Sequence, residues 1–308
     1  MTIRYPDLFD QGILQKRVQT ALSRLESCRL CPRICGVNRL DGQTGFCRTG
    51  RLAKVYGFHA HFGEETPVSG TNGSGTVFFS YCSLGCSFCQ NYEISHAGQG
   101  DWVTSDDLAE MMLKLQRRGC HNINFVTPTH IVPQILESLE KAVAQGLRIP
   151  LIYNTSAYDR VETLELLDGV MDIYMPDFKF WDPEIARMTC EAPNYPEIAR
   201  QAILEMHRQV GDLVIDGNGI AARGLLVRHL VLPENMAGTA EVMHFLHQRI
   251  SADTYVNVMF QYHPCGDISR NSPLGRAPTA AECREAWKAA QDAGIRRLDP
   301  PQRRLVLW

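Results

Sequence analysis

The chain has little net charge: 31 Lys and Arg stand against 34 Asp and Glu, for a formal −3. That balance argues against a protein devoted to gripping nucleic acid. No apolar run approaches the ~20 residues a membrane helix needs. The opening MTIRYPDLFDQG lacks the basic start and apolar core of a secretory signal, which predicts a cytoplasmic protein without a membrane partner. No GxGxxG follows the first regular strand, so the dinucleotide fingerprint is missing. Internal repeats and low-complexity linkers are absent as well. With 44% hydrophobic and 21% charged residues, the 308-residue chain has ample material for a core and does not read as disordered.

Cysteine is what the chain has in excess, with 11 residues. An odd count cannot pair completely, and a reducing compartment disfavours structural disulfides. Seven cysteines fall in two tight groups before residue 90, and Cys120, Cys190, Cys265 and Cys283 are scattered. Clustered thiols of this kind point to metal or redox chemistry.

An N-terminal helical arm is expected over residues 1–24, and a short strand over 52–58. From residue 76 the pattern becomes regular. Strands are expected at 76–81, 122–126, 151–154, 171–175, 225–232 and 255–260. Helices are expected near 105–118, 131–145, 160–167, 195–210 and 238–250. DGNG at 216–219 reads as a hairpin turn or loop insertion. Thr279 with Glu282 forms a capping box that opens a last helix. About six strand–helix repeats predict an α/β fold, a partial (β/α)6 TIM-like barrel with its chemistry at the C-terminal strand ends. The expected domains are an arm and cysteine-rich metal-binding segment at 1–69 and the barrel at 70–308.

After the first barrel strand come Cys82, Cys86 and Cys89, spaced C-x3-C-x2-C, with Phe88 before the last. Three thiolates on one loop can ligate three irons of a [4Fe–4S] cluster and leave the fourth open. A structural zinc site would want a fourth ligand, such as His96. The spacing, at the end of a strand in a (β/α) pattern, resembles the radical S-adenosylmethionine (SAM) superfamily. The stretches CRLCPRICGVNR, HFGEE, GSGTVFFSYCSLGCSFCQNYEIS, NINFVTPTH, YNTSAYD, DIYMPDFK and VRHLVLP resemble its pyruvate formate-lyase activating enzyme-like group. The resemblance covers about residues 70–265. It implies that Cys82, Cys86 and Cys89 are the catalytic ligands and that SAM is cleaved reductively to a 5′-deoxyadenosyl radical. That radical would take a hydrogen atom from a glycyl radical enzyme or another protein or peptide, with a small molecule as the alternative. A one-electron donor such as flavodoxin or ferredoxin is the implied partner.

The strand ends supply the expected SAM contacts. Thr127 and Thr129 follow the second strand, where well-studied members of the superfamily carry a Gly-Gly-Glu-type motif. Their hydroxyls suit the SAM ammonium, or Thr129 caps the next helix. Asn154 and Ser156 suit ribose hydroxyls or the sulfonium side, or serve as turn residues. The resemblance implies that Asp177 and Lys179 reach the SAM carboxylate; a mutual salt bridge is the other reading. Arg228 is expected to face inward near that carboxylate, with His229 packed outward. Gln261 or His263 would meet adenosine or substrate, and Phe88 is counted among the cofactor contacts. His59, His61, Glu64 and Glu65 read as a metal site or a solvated loop.

The first group, Cys28, Cys31, Cys35 and Cys47, has the spacing C-x2-C-x3-C-x11-C. Four thiolates can close a zinc site or fully ligate an auxiliary iron–sulfur cluster, and the two stay open. A different class of function, a non-catalytic iron–sulfur or zinc scaffold for electron transfer or partner binding, competes with the enzyme reading.

Overall fold

A computed structural model describes residues 3–300. The remaining residues of the expected arm (1–2) and barrel domain (301–308) lie outside them. Ten strands are present among the described residues: β1 (Ala53–His61), β2 (Ser74–Phe79), β3 (Asp101–Val103), β4 (Ile123–Val126), β5 (Leu151–Thr155), β6 (Ile173–Pro176), β7 (Val214–Ile215), β8 (Ala221–Leu230), β9 (Tyr255–Met259) and β10 (Arg297–Leu298). The six strands expected from the sequence are β2, β4, β5, β6, β8 and β9, paired in that order and all parallel. The pattern is legible because each is a short apolar run punctuated by an amphipathic helix.

The strand path is open. Antiparallel β1 and β3 extend it beyond β2, and parallel β10 extends it beyond β9. The DGNG stretch joins β7 to β8 as an antiparallel hairpin. The expected boundary at residues 69 and 70 falls between β1 and β2, which pair across it.

Residues 62–69 fold back from the end of β1 and fill the inside of the curved sheet. Val68 joins Ile152, Ile173, Met175, Leu226 and Tyr255 in one buried cluster. Helices Ser105–Arg117 and Val132–Ala144 pack against each other on the outside. The expected N-terminal arm is two short helices, Tyr5–Asp10 and Ile13–Ser23, broken at the left-handed Gly12. Leu14, Val18 and Ala21 are the buried side of the second.

Candidate functional site

The cysteine loop leaves the C-terminal end of β2 through Tyr81, a non-glycine residue in the left-handed region at φ 67°. Thr127 (φ 62°) and Ala157 (φ 60°) repeat this after β4 and β5. Left-handed backbone at a β-branched residue is strained, and such strain concentrates at functional sites. Within the loop, the Leu84 N–H donates to Cys82 Sγ at 3.4 Å. Gly85 supplies the turn at φ 69°. Burial pushes the Cys82 thiol up to about 12, with the charges of Cys86 and Cys89 adding to it. Burial also raises Cys89, again with help from Cys86. The three thiols are therefore within electrostatic reach of one another, with Cys86 buried and Cys82 and Cys89 half-buried.

Two cysteines that sequence spacing could not connect to this loop join it. Cys86 is raised well above its ordinary value, foremost by a hydrogen bond with Cys190 and then by burial. Cys265 Sγ donates to the Phe88 carbonyl at 3.2 Å. Gly266 lies so close that a Cβ would stand 2.3 Å from the Ser87 carbonyl oxygen. Phe88 itself is buried and meets Phe180 and Tyr262 edge-on, with centroids at 5.7 and 6.0 Å.

Around the rim, Lys179 Nζ donates to Asp177 Oδ2 at 2.6 Å, so the pair forms the salt bridge. Burial alone would lower the Lys179 ammonium; the charges of Asp177 and then Cys86 raise it instead. That places the cation beside the cysteine loop. The Tyr195 hydroxyl accepts from the Lys179 N–H at 2.9 Å and shares its proton between the Ser156 and Asp177 carbonyls. This residue, unremarked in the sequence, holds the loops after β5 and β6 together.

Thr129 does not cap the following helix. It opens a 3-10 turn at Thr129–Ile131, and its hydroxyl meets Thr155 Oγ1 at 3.1 Å. Thr155 and Tyr153 donate in turn to Asp159 at 2.6 and 2.9 Å. Burial raises the Asp159 carboxyl while these hydroxyls hold it down. Thr129 is thus 1% exposed and committed to a buried network. Asn154 lies on the same face of β5 as the inward Ile152. His229 is packed, with its ring between the Phe178 carbonyl and Thr239 Oγ1.

Arg228 faces inward and is already engaged. Its guanidinium donates to both Glu64 and Glu65, and Asn257 Nδ2 reaches Glu65 Oε1 at 2.6 Å. Glu64 also accepts from Asn124 at 2.9 Å. The two carboxylates thus bind an arginine from across the barrel, while His59 stacks on Phe78 and His61 meets it edge-on. Gln261 is half-buried and its carbonyl faces His263 Nδ1 at 3.3 Å. His96 stacks on Tyr92 at 4.1 Å, with Nδ1 at 2.8 Å from Ser95 Oγ.

Among the described residues no three His, Cys, Asp or Glu side chains are gathered tightly enough for a single metal ion. A multi-iron cluster takes one thiolate per iron, so its ligands stand further apart than those of one ion. The donor chemistry of the β2 loop fits such a group: three soft thiols, an N–H aimed at sulfur and Lys179 alongside. In the N-terminal segment, burial pushes Cys31 up to about 12, with Cys47, Cys28 and Cys35 contributing. Burial raises Cys35 too, and Cys28 and Cys47 are among its neighbours. Cys31 and Cys35 are thus each within electrostatic reach of the other cysteines of the segment.

A parallel strand series carrying three cysteines on the loop after its first strand defines a class of cluster-dependent enzymes. The Radical SAM superfamily model matches residues 76–246, and the chain belongs to that superfamily. Its members use a [4Fe–4S] cluster to cleave SAM by a radical mechanism. The chain is also 30% identical over 289 residues to a Methanocaldococcus jannaschii protein described as "Uncharacterized protein MJ0674", covering 91% of this chain and 79% of that one. No helix among the described residues is long and apolar enough to cross a membrane.

Proposed function

We propose that this radical SAM enzyme abstracts hydrogen from a protein or peptide substrate, as its likeness to the activating enzymes of glycyl radical enzymes implies. The observation that carries the reading is the triad Cys82, Cys86 and Cys89 beside the Asp177–Lys179 pair on one rim. When bound, the cluster and SAM supply the electron and the adenosyl radical that removes hydrogen.

The chain's own residues do the rest. Cys82, Cys86 and Cys89 are the thiolate ligands. Lys179 offers an ammonium for the SAM carboxylate, and Asp177 fixes its direction. Asn154, Ser156 and the left-handed turn at Thr127 offer polar contacts along the same rim. Thr129 acts through Thr155 and Asp159 as a positioning residue, and Arg228 through its hold on Glu64 and Glu65. The open strand path leaves an edge at which a peptide loop can enter. A reduced flavodoxin or ferredoxin in the cytoplasm is the fitting electron source. Cys28, Cys31, Cys35 and Cys47 would hold a second metal group, for which the spread of an auxiliary cluster's ligands fits the four thiols better than the tight shell of a single zinc ion.

Anaerobically reconstituted protein with dithionite and SAM is expected to yield 5′-deoxyadenosine, and the Cys86→Ala variant none. Equal yields from the two would leave only the scaffold reading. With a partner deuterated at its glycine α-carbons, deuterium should appear in the 5′-deoxyadenosine. Transfer from a labelled small molecule and not from the protein would overturn the peptide reading.

A further inference from the structure

Arg33 lies between Cys31 and Cys35, yet its guanidinium points away from them into the barrel rim. Nε donates to the Ser83 carbonyl at 3.0 Å and Nη2 to that of Leu84 at 2.9 Å. Nη2 also reaches the Cys190 carbonyl at 2.7 Å, and Nη1 the Glu191 carbonyl at 2.7 Å. Ser83 and Leu84 stand between Cys82 and Cys86, so the fork binds the main chain of the cysteine loop itself. Phe46 covers the guanidinium at 3.9 Å and closes over Gly85, where a Cβ would stand 2.8 Å from its ring. Cys190 and Glu191 end the helix Pro183–Cys190, whose Thr189 carbonyl accepts from the Ser87 N–H at 2.8 Å. Three chain segments, distant in sequence, thus meet at one cation.

Arg39 makes a second link. It is 1% exposed, with Nη1 donating to the His130 carbonyl at 2.7 Å and standing 3.9 Å from Cys28 Sγ. The His130 Nε2–H donates in turn to the Ser80 carbonyl at 3.0 Å, two residues before Cys82. The four-cysteine segment is therefore tied to the loops after both β2 and β4. A rigid fork of five N–H donors can satisfy the four carbonyls around Arg33 at once, whereas an ammonium has three donors and no fixed plane.

We infer that Arg33 is a positioning residue for the Cys82–Cys89 loop, and that metal held by Cys28, Cys31, Cys35 and Cys47 fixes Arg33. The state of the second metal site is thereby transmitted to the first. The second clause rests on the metal-binding reading of those four cysteines; the first does not. The Arg33 backbone is set from both sides, by Cys31 and by Cys35. Between them the Ile34 N–H to Cys31 carbonyl bond, at 3.1 Å, closes the turn, and the Gly36 N–H to Cys28 carbonyl and Cys28 N–H to Val37 carbonyl bonds, at 2.9 and 3.0 Å, clamp its base.

Amide hydrogen exchange over residues 82–90 tests this in full-length protein, metal-free and reconstituted. Arg33→Ala should speed exchange there about tenfold, as expected when a local hydrogen-bonded latch opens, while the helix Ser105–Arg117 stays unchanged. Arg33→Lys, which keeps the charge without the fork, should fall between and keeps the test valid if the alanine variant misfolds. Loop exchange at the wild-type rate in both variants overturns the latch. The Cys31→Ser/Cys47→Ser variant, reconstituted with iron at the first site, should reproduce the faster loop exchange and a changed electron paramagnetic resonance spectrum of the reduced cluster. Wild-type behaviour there overturns the coupling. Metal analysis of a Cys82/Cys86/Cys89 triple-alanine variant separates the two failures: no retained metal removes the coupling alone and leaves the Arg33 latch standing.

Discussion

Asp172 shows how a single carboxyl can oppose the fold that holds it. It sits just before β6, accepts from the Leu151 N–H at 2.9 Å and is 7% exposed. Burial pushes its pKa up to about 7, against the Leu151 hydrogen bond and the charges of Arg4 and Arg223. The folded protein then holds a proton that the unfolded chain releases near pH 4, so stability falls as pH rises from about 4 to about 7. Asp172→Asn keeps an acceptor for Leu151 and removes that slope. Unfolding free energies from urea titrations should match wild type near pH 4 and exceed it at pH 8, by up to about 4 kcal/mol. A wild-type slope retained in the variant would show that Asp172 is not its source.

Among the elements, the helix Ala280–Asp292 carries the capping box that its sequence announces. Thr279 Oγ1 accepts from the Glu282 N–H at 3.2 Å, and the Glu282 carboxylate accepts from the Thr279 N–H at 2.6 Å. Thr279→Ala should cost about 1 kcal/mol in denaturant unfolding and leave SAM cleavage at the wild-type rate. The legible elements share this quality: spacing, cap or turn chemistry lies within a few residues. The 3-10 turn at Thr129–Ile131 does not share it. Threonine before a helix reads as a cap, and only Thr155 at the end of the next strand, itself bound to the buried Asp159, claims its hydroxyl instead. The same holds for Tyr195, which opens the expected helix at 195–210 but gives no local sign that its hydroxyl serves the β5 and β6 loops.

For the whole molecule, the inner ionic group joins the segment at 62–69 to the far side of the barrel. Burial pushes the Glu65 carboxyl up, but Arg228 and Asn257 hold it below the usual carboxylate range. Removing one partner strands the other charge in the interior. Arg228→Ala strands both carboxylates and should destabilise by about 3–5 kcal/mol, whereas Arg228→Met with Glu64→Gln and Glu65→Leu should recover much of the loss. Equal stability of the single and triple variants, measured by urea unfolding, would mean that the group contributes packing rather than charge compensation. The sequence indicated Arg228 as inward, because alternation on a strand admits one neighbour and not the other. Its partners lie more than 160 residues upstream, beyond any periodicity.

The strand series and the two cysteine groups follow from the order of residues alone. Both are written in local spacing: apolar runs alternating with amphipathic helices, and thiols close enough to share a loop. Tertiary structure alone decided what surrounds them. It brought Cys190 and Cys265 to the loop of Cys82, Cys86 and Cys89, turned Thr129 inward and gave Arg228 to Glu64 and Glu65. It also set Arg33 on the carbonyls of Ser83 and Leu84. The physical reason is that a charge or hydroxyl leaving water takes the nearest partner the fold presents, and nearness across a barrel leaves no period in the chain.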